Sequence, residues 1–483
     1  MEVRVRFAPS PTGFLHVGGL RTALYNYLFA QHHKGKLILR IEDTDRTRFV
    51  ENATENLIQN LRWAGIEFDE SLEKGGEYGP YVQSARFDMY KQHAEQLIKN
   101  GMAYYAFDSQ EELEAMRQSQ TDGSFKYIRN QMKNSFTLSD AELQALLDSD
   151  TPKVVRLKVP ENEVLVFNDI IRGEIKVPGK DIDDQILLKS DGYPTYHLAN
   201  VVDDHYMKIS HIIRGEEWLP STPKHVILYR AFGWDVPEFA HLPLLLNESR
   251  QKLSKRHGDV AVEDFQAKGY LRDAFVNFIA LLGWNPTGDR EIYTMDELIE
   301  FFKLEKVNKA GAVFDLQKLN WMNAEYIKKA SLDELYKQLQ VLPDNIVLED
   351  HSEEYIKSVI ELFRERITFV ADIFDIAAYM FHKPAQYDEQ YKQKQWNEDS
   401  PEMARELLGL IKRTDTFDHE NLQPAIKEYC TKKGIKMGVA MHSLRLMLTG
   451  VPSGASMMHT MELLGKSECI ERIETFLELE NKV

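Results

Sequence analysis

FAPSPTGFLHVGGLRTALYNYLFA (Phe7–Ala30) joins a short strand to a helix through a turn that is rich in proline and glycine. Apolar residues alternate over residues 3–7, as in a half-buried strand, and recur at helical spacing in the second half of the stretch. The turn carries His16, Gly18 and Gly19. Backbone N–H groups at a helix N-terminus favour an anion, and glycines let a ligand approach the backbone closely. The stretch therefore predicts a phosphate-binding turn.

The residues that follow continue the alternation of strand and helix. Residues 36–41 (KLILRI) predict a second buried strand, residues 52–64 an amphipathic helix, and residues 208–218 a later strand of the same sheet. This alternation with short links predicts an α/β fold, in which a doubly wound parallel sheet of the Rossmann type has helices on both faces. Ligands of such sheets bind outside the carboxyl ends of the strands, where Arg6 and Glu42 fall.

The composition is that of an ordinary globular chain with an uneven charge. Its 483 residues are enough for about three domains, and its net charge of −17 argues against an indiscriminate coat on nucleic acid. Residues 1–50 nevertheless hold eight Lys or Arg and four Asp or Glu (net +4), and residues 421–450 hold five and one (net +4). Two positive segments suit one long anionic partner, although scattered surface charge explains either segment alone.

Cysteine usage and hydropathy indicate the compartment. The two cysteines, Cys430 and Cys469, form neither a disulfide framework nor zinc-ligand spacing, which favours a reduced environment. The charged residues Glu2, Arg4 and Arg6 argue against a signal peptide. No apolar run approaches the roughly 20 residues that span a bilayer. We therefore expect a cytoplasmic protein without a membrane partner.

Changes in composition along the chain predict five segments. They are residues 1–100, the first half of the α/β domain; 101–195, an inserted α+β unit; 196–256, the second half of the α/β domain; 257–325, a mostly helical segment; and 326–483, a helical region with a break near residue 380. Residues 265–282 are expected to form one amphipathic helix, and residues 383–400 a polar connection. Short links between the later helices favour a helical bundle.

A second motif, KLSKR (residues 252–256), makes the first one informative. Taken alone, His16 is most simply a packed loop histidine, and KLSKR is a solvated basic run. Together and in this order they resemble the HIGH and KMSKS elements of class I aminoacyl-tRNA synthetases. Gly19 replaces the last histidine of the first element, and Leu253 replaces the methionine of the second, which is a volume-conserving change.

Longer strings make the resemblance more specific. RFAPSPTGFLHVGG, RIEDTDRTR, SDGYPTYHLANVVDDH and IIRGEEWLPSTPKH are similar to those of bacterial-type glutamyl-tRNA synthetases in particular. The match covers nearly the whole chain, densely over residues 4–260 and more loosely after residue 330. The resemblance implies attachment of L-glutamate to the 3′ end of tRNA(Glu) through a glutamyl-adenylate, with use of ATP and Mg²⁺ and release of pyrophosphate.

Such a transfer needs positioning and charge stabilisation more than a covalent side chain. His16 is expected to donate to a phosphate oxygen, and Lys252 and Lys255 are point charges suited to the leaving pyrophosphate. These three residues are the expected catalytic residues. The expected ATP-binding residues are Pro11, Thr12, His16, Gly18, Gly19, Leu253, Ser254 and Lys255.

A site for glutamate needs cationic partners for two carboxylates and an acceptor for the ammonium group. Arg6 and Arg214 can supply guanidinium forks, and Glu42 can accept from the ammonium. The resemblance adds neutral hydrogen-bonding residues and a wall. The expected glutamate-binding residues are Arg6, Ser10, Glu42, Tyr196, Asn200, Arg214 and Trp218. The simpler alternatives are a surface ion pair between Arg214 and the glutamates that follow it, and a solvated or metal-binding acidic turn after residue 41.

The resemblance also assigns the remaining segments. Residues 101–195 correspond to the connective domain that holds the acceptor end of the tRNA, residues 257–325 to the stem-contact region, and residues 326–483 to the helical anticodon-binding region. Residues 104–109 contain no cysteine where many relatives hold zinc, so we expect no structural zinc and no other metal site. Arg366 matches an arginine that reads the third anticodon base in relatives.

Several other functions share part of this pattern. A non-discriminating enzyme would also charge tRNA(Gln), and a glutaminyl-tRNA synthetase would prefer a neutral amide, against which Arg214 and the helical C-terminal region argue. A truncated relative would lack the anticodon region, and a silent RNA-binding paralogue would be expected to lose His16 or the lysines of KLSKR. A small-molecule nucleotidyltransferase would not need the C-terminal bundle. Without a self-complementary apolar stripe, we expect a monomer.

Overall fold

The computed structural model of the chain describes residues 2–11, 13–44, 50, 52–120, 126–253, 260–341 and 350–481. The chain divides into two compact units. The first comprises Met1–Asp264 and Val276–Asp315, and the second comprises Phe265–Phe275 and Leu316–Val483. Within the described ranges, no helix combines the length and the apolar character that crossing a membrane requires.

The part of the chain before residue 316 contains strands and helices in alternation. The described strands are β1 (Arg4–Phe7), β2 (Lys36–Leu39), β3 (Ala103–Ala106), β4 (Val154–Leu157), β5 (Val164–Asp169), β6 (Gly173–Pro178), β7 (Ile186–Leu188), β8 (His211–Gly215), β9 (Glu238–Leu242), β10 (Leu245–Leu246) and β11 (Ala312–Val313). The described helices are α1 (Val17–His32), α2 (Ala53–Trp63), α3 (Phe87–Lys99), α4 (Gln110–Ser119), α5 (Asp140–Leu147), α6 (Tyr196–Tyr206), α7 (Thr222–Phe232), α8 (Val262–Ala267), α9 (Arg272–Ala280) and α10 (Met295–Phe301).

Parallel strand pairs form the centre of the first unit. β1 pairs in parallel with β2, placing Arg6 opposite Ile38, and α1 connects the two strands. β8 pairs in parallel with β9, which pairs in parallel with β5, so that the strand order is β6-β5-β9-β8. The backbone N–H of Ser210 donates to the carbonyl of Arg4 at 2.9 Å, which places the start of β8 beside β1. The predicted α/β fold with a parallel sheet is confirmed.

Residues 101–195 contribute to two different sheets. β3, β4 and β7 form an antiparallel sheet of their own, whereas β5 and β6 join the sheet that contains β8 and β9. The inserted segment therefore has the predicted α+β character, and it also supplies a strand that lies next to the centre of the fold. The limits of the five predicted segments stay predictions.

The second unit is helical in its described part. Its helices after residue 315 are α11 (Leu316–Lys329), α12 (Leu332–Gln340), α13 (Glu353–Phe363), α14 (Ile373–Ile376), α15 (Ala378–Phe381), α16 (Glu389–Gln395), α17 (Ser400–Arg413), α18 (His419–Lys433), α19 (Met437–Thr449), α20 (Met457–Leu464) and α21 (Lys466–Glu480). Two hydrophobic clusters hold them together. Leu335 and Ile360 belong to one, and Leu407, Leu444 and Ile473 belong to the other.

Two local predictions are wrong. Residues 265–282 do not form one helix, because α8 ends at Ala267 and α9 begins at Arg272. Gly269 lies between them with φ +84°, a conformation that glycine adopts at little cost and that ends a helix. Residues 383–400 are not only a connection, because they contain α16. Its first turn is capped by Asp388, whose side chain accepts a hydrogen bond from the Tyr391 N–H.

Candidate active site

A cavity of about 810 Å³ opens at the carboxyl ends of β1 and β8 and at the N-terminus of α1. The structure brings ten of the predicted site residues together in its lining. They are Arg6, Ser10, His16, Gly18, Gly19, Glu42, Tyr196, Asn200, Arg214 and Trp218. The lining also contains residues that were not predicted, among them Thr44, Gln83, Lys189 and Glu217. The arrangement places a phosphate-type turn and several charged side chains around one space.

His16 caps the N-terminus of α1 with its side chain. Its Nδ1 accepts a hydrogen bond from the backbone N–H of Gly18 at 3.0 Å. In a neutral imidazole the proton then lies on Nε2, which is the atom able to donate to a phosphate oxygen. The first turn of α1 contains no acidic side chain. The helix dipole and His16 therefore both favour an anion at this end of the cavity.

The first residues of the KLSKR motif are held against β10. The backbone N–H of Leu253 donates to the carbonyl of Leu245 at 2.8 Å, and Lys252 forms a bridge with Leu246. Neither Lys252 nor Leu253 is among the residues that line the cavity. Three other predicted positions, Thr12, Ser254 and Lys255, lie outside the described residues, as does Arg256 of the motif.

Residues 260–262 lie next to the His16 turn. The backbone N–H of Val17 donates to the carbonyl of Val260 at 2.9 Å, and the N–H of Val262 donates to the carbonyl of Leu15 at 3.0 Å. These antiparallel contacts join two segments that are far apart in sequence. The structure thus brings the segment that follows the second motif next to the first.

Arg6 lies in a buried ion network. Its Nε and Nη2 donate to the two carboxylate oxygens of Asp204 at 3.0 and 3.2 Å. Arg40, which is fully buried, donates to Asp204 at 2.6 Å and to Glu42 at 3.0 Å. The Nε–Nη2 edge of Arg6 is therefore occupied by Asp204. Within the described residues Nη1 has no partner, and a contact of Arg6 with glutamate stays a prediction.

Asn200 joins the two arginines of this network. Its Oδ1 accepts from Nη2 of Arg6 at 3.2 Å and from Nη2 of Arg40 at 3.1 Å. Its Nδ2 is buried and has no hydrogen-bond partner among the described residues. A buried donor without a partner is costly, so this atom is suited to an acceptor atom of a bound ligand.

Asp203 extends the network to Arg86, Gln83 and Tyr90. Its oxygens accept from Arg86 at 2.7 Å, from Gln83 at 2.8 Å and from the Tyr90 hydroxyl at 2.9 Å. Burial raises the pKa of Asp203 and outweighs the opposing effect of Arg40 and Arg86. The buried network as a whole contains three arginines and three carboxylates, so its formal charge is zero. They are Arg6, Arg40, Arg86, Glu42, Asp203 and Asp204.

The pKa values of the other two carboxylates differ in direction. Burial opposes ionisation of Asp204, but the two guanidinium groups of Arg6 and Arg40 outweigh it and lower the pKa of Asp204. Burial raises the pKa of Glu42, against the opposing effect of Arg40. Glu42 also lines the cavity, so an additional cation there would favour its ionised form.

Arg214 has only neutral partners. It is 4% exposed, and its guanidinium donates to the Tyr196 hydroxyl at 2.9 Å and to Thr222 Oγ1 at 2.9 Å. It also donates to His241 Nε2 at 3.1 Å and to His225 Nδ1 at 3.3 Å. Within the described part of the chain no carboxylate pairs with it. A buried cation without a counter-ion is costly, so this end of the cavity is suited to an anionic ligand group.

The alternative that made Arg214 a surface ion pair is therefore wrong. Glu216, two residues later, pairs instead with Arg172 and accepts from the backbone N–H of Leu244 at 2.8 Å. The exposed side chain of Glu217 lies over the backbone of Gly215, where an added Cβ would meet its carboxylate. Within the described residues, neither of the two glutamates that follow Arg214 forms an ion pair with it.

One face of α6 carries the polar residues that line or support the cavity. Tyr196, Asn200, Asp203 and Asp204 occupy positions i, i+4, i+7 and i+8, which lie on one side of a helix. The ring of Tyr196 packs against Trp218 with ring centroids 4.4 Å apart. A helical wheel of the string TYHLANVVDDH would have identified this face before the structure was known.

Several functional residues could not be found from the motifs. Arg40 directly follows β2 and interrupts the apolar run of residues 37–41, where a buried charge is unexpected, and that interruption was the available signal. His225 and His241 contact Arg214, and Asp169 contacts His241, but the three residues come from three elements that the sequence does not place together. Pairing of distant strands decides their position.

The other predicted positions lie elsewhere. Pro11 is buried beside the turn, and its carbonyl accepts from the Val50 N–H at 3.3 Å. Arg366 is exposed in the second unit, just after α13. Two lysines of the positive segment 421–450 are paired, Lys432 with Glu428 and Lys433 with Glu406, so its available charge is lower than the count suggests.

Metal ligation is not supported by a cluster in the described residues. No group of three or more His, Cys, Asp or Glu side chains is placed there to hold a metal ion. Near residues 104–109, the Tyr104 hydroxyl donates to Asp184 at 2.5 Å and Arg129 donates to the same carboxylate at 2.6 Å. The absence of structural zinc stays a prediction.

The chain is similar over nearly its whole length to known glutamate–tRNA ligases. A glutamate–tRNA ligase of Chloroherpeton thalassium is 48% identical over 490 residues, which cover 98% of this chain and 97% of the relative. A glutamate–tRNA ligase of Chlorobaculum parvum is 48% identical over 492 residues, which cover 99% and 98%. The crystal structure of a glutamate tRNA ligase from Elizabethkingia meningosepticum in complex with its amino acid has a TM-score of 0.94 at 43% identity and covers 99% of both chains.

Two family matches account for nearly the whole length. Residues 319–477 match the family described as anticodon binding domain. Residues 2–321, which include both motifs and the cavity, match the family described as tRNA synthetases class I (E and Q), catalytic domain. The resemblance inferred from the sequence is thereby confirmed. The chain belongs to the class I tRNA synthetase family of the glutamate and glutamine (E and Q) type, and its relatives are bacterial glutamate–tRNA ligases.

Proposed function

We propose that this protein attaches L-glutamate to the 3′ end of tRNA(Glu) in two steps, through a glutamyl-adenylate. The single observation that carries the proposal is the environment of Arg214. A buried guanidinium whose described partners are all neutral is a site for a carboxylate, because a neutral amide would leave the buried charge uncompensated. Membership in the family implies the use of ATP.

The remaining lining residues suit the other groups of an amino acid. Glu42, whose pKa burial raises, gains a counter-charge from the substrate ammonium. Nη1 of Arg6 and the buried Nδ2 of Asn200 are donors for the second carboxylate. Ser10 adds a neutral hydroxyl at the entrance, and Trp218 and Tyr196 form a wall. These roles are our assignments to residues that line one cavity.

The first step joins the two substrates. An oxygen of the α-carboxylate of glutamate attacks the α-phosphorus of ATP, the bond to the bridging oxygen breaks, and pyrophosphate leaves. His16 Nε2–H and the N-terminus of α1 lie at the phosphate end of the cavity, where they stabilise the charge that develops. Gly18 and Gly19 let the nucleotide approach the backbone closely. Lys252 and Lys255 supply positive charge to the leaving pyrophosphate.

The second step transfers the glutamyl group. A ribose hydroxyl of the terminal adenosine of the tRNA attacks the carbonyl carbon of the mixed anhydride and loses its proton. The bond from this carbon to the bridging oxygen breaks, and AMP leaves with that oxygen. Mg²⁺ would enter as the counter-ion of the ATP triphosphate and is part of the substrate in this scheme. We also propose that the protein acts as a monomer in the cytoplasm, and that Arg366 contacts the anticodon.

Charging of total tRNA with labelled glutamate and, separately, labelled glutamine tests the proposed function. We expect glutamate acceptance and no glutamine acceptance. Glutamine acceptance without glutamate acceptance would identify a glutaminyl enzyme instead. Purified tRNA(Glu) and tRNA(Gln) then separate a discriminating enzyme from one that glutamylates both.

A lysine variant tests the assigned role of the second motif. Lys255→Ala should lower the rate of adenylate formation far more than the affinity for glutamate, because the lysine acts on the phosphates. Pyrophosphate exchange in the presence of tRNA measures the first quantity, and calorimetric titration with L-glutamate measures the second. Unchanged adenylate formation in this variant would remove the motif from the mechanism. Lys268→Ala, a nearby lysine outside the motif, is the matched control.

A further inference from the structure

Three strands of one sheet carry a row of side chains that ends at Arg214. Asp169 is the last residue of β5, His241 lies on β9, and Arg214 lies on β8 directly opposite His241 in the strand register. Because β5, β9 and β8 are neighbours in this order, the three side chains follow one another across the sheet. The row is buried throughout. Arg214 lines the cavity, whereas His241 and Asp169 are not among its lining residues.

Asp169 fixes the tautomer of His241. Its Oδ2 lies 2.6 Å from His241 Nδ1 and also accepts from the His241 backbone N–H at 3.1 Å. Its Oδ1 accepts from the backbone N–H groups of Ile171 and Arg172 at 3.0 and 2.9 Å. A carboxylate only accepts, so the proton of His241 lies on Nδ1 and Nε2 presents a lone pair to Arg214.

His225 presents the same kind of acceptor from the other side. Its Nδ1 accepts from Nη1 of Arg214 at 3.3 Å, and its Nε2 lies 3.1 Å from Nδ1 of His197. The consistent assignment places the His225 proton on Nε2, where it donates to His197. Burial lowers the pKa of His225 well below its ordinary value and the pKa of His241 to about 4. Both rings are therefore uncharged acceptors at neutral pH.

These partners accept hydrogen bonds from the Arg214 guanidinium, but they do not neutralise its charge. A carboxylate at either ring position would pair with Arg214 and compete with a ligand. We propose that His225 and the Asp169–His241 pair are positioning residues that hold Arg214 with uncharged acceptors, so that its charge is reserved for a substrate carboxylate and discriminates against a neutral amide. This inference rests on the proposed function and adds to it the residues that determine specificity.

A matched pair of substitutions at one position tests the proposal. His225→Gln keeps an uncharged acceptor, whereas His225→Glu puts a carboxylate of the same shape beside Arg214. We expect His225→Glu to raise the KM for glutamate at least thirtyfold and to leave the KM for ATP within about threefold. The ratio of kcat/KM for glutamine to that for glutamate should rise at least tenfold. His225→Gln should keep the preference for glutamate, with a KM change below about fivefold.

Thr222 offers a second pair if the buried His225→Glu variant does not fold. Thr222 is the first residue of α7, and its Oγ1 accepts from Nη2 of Arg214 at 2.9 Å. Thr222→Asp adds a carboxylate where a helix N-terminus favours one, and Thr222→Asn is its uncharged counterpart. We expect Thr222→Asp to raise the KM for glutamate and the relative use of glutamine as His225→Glu does, and Thr222→Asn to keep the preference for glutamate.

The outcomes separate this inference from the proposed function. If the wild-type protein does not charge glutamate, the proposed function fails first. If the wild-type protein prefers glutamate but the charged and uncharged variants of each folded pair behave alike, the positioning role is overturned and the positions only contribute packing. An equal rise of the KM values for glutamate and ATP would also overturn it, because that pattern indicates general distortion of the site.

Discussion

Arg6 on β1 and Arg214 on β8 line the same cavity and are both 4% exposed, yet their charges are balanced differently. Arg6 belongs to a network of three arginines and three carboxylates, in which each guanidinium contacts at least one buried acid. Arg214 contacts a tyrosine, a threonine and two histidines, all uncharged. In this cavity the charge of Arg6 is neutralised by carboxylates of the protein, whereas the charge of Arg214 is available to a ligand.

The difference has a physical consequence. In a compensated network, removal of one member leaves a partner buried and unpaired, so that stability suffers most. At a site where the buried cation has no counter-ion, removal of the cation also removes the unfavourable free energy of burying it. The free energy of unfolding therefore changes little, and ligand binding weakens most. Substitutions on the two sides should therefore affect different measurements.

The largest effect is expected from Arg214→Gln. Because the variant loses the charge that meets the substrate carboxylate, kcat/KM for glutamate should fall about a thousandfold, in line with the roughly 2–5 kcal/mol typical of a buried charged pair. The free energy of unfolding should change much less. Charging kinetics and urea denaturation measure the two quantities. Arg214→Lys, which keeps the charge without the planar fork, is the control and should lose less. Equal loss in both variants would contradict the charge argument.

The next effect is expected from Asp204→Asn. Arg6 and Arg40 would lose their shared counter-ion, and the free energy of unfolding should fall by about 3–5 kcal/mol. Urea denaturation followed by tryptophan fluorescence measures the change. An unchanged midpoint would mean that the buried network does not need charge balance, and the contrast with Arg214 would fail.

A smaller effect should appear as a dependence on pH. The pKa of His241 is lowered by burial from 6.5 to about 4, with Asp169 opposing and Arg214 and Arg172 adding to the shift. A lowered histidine pKa gives stability that is complete above pH 6.5 and is lost as the pH falls toward 4. From pH 6.5 to 5 the loss is about 2 kcal/mol, at 1.36 kcal/mol per pH unit.

His241→Gln tests this assignment, because a variant without the titrating ring should show a shallower decline of the unfolding midpoint over the same range. His197 and His225 have pKa values lowered by burial as well and should keep part of the dependence. If the wild-type and variant curves run parallel between pH 7 and 5, His241 does not contribute.

The smallest effect is expected from Glu114→Gln. Glu114 pairs with Arg117 on α4 at 3.3 Å, but both side chains are more than half exposed. An exposed pair contributes little, so the free energy of unfolding should change by less than about 0.5 kcal/mol. A loss comparable to that of Asp204→Asn would show that burial is not what distinguishes the network.

Much of the site was predictable because its residues follow local patterns. The strand, glycine turn and helix of residues 3–30 predicted a phosphate-binding turn, and its residues His16, Gly18 and Gly19 line the cavity. The strand-end positions of Arg6, Glu42 and Arg214 predicted that they would meet, and they line one cavity. The pairing of Arg6 was not predictable, because Asp204 lies about two hundred residues away and is reached only through the packing of α6.

The sequence by itself determined the fold class, the two motifs and the meeting of the strand-end residues Arg6, Glu42 and Arg214 at one cavity, because periodicity, turn residues and strand ends are local properties of the chain. Only the tertiary structure decided which arginine is balanced and which is not. That distinction depends on buried distances of about 3 Å between Asp204 and Arg6, and between His241 and Arg214. Such distances are set by the pairing of β5, β9 and β8 and by the packing of α6 against β1, which no local pattern specifies.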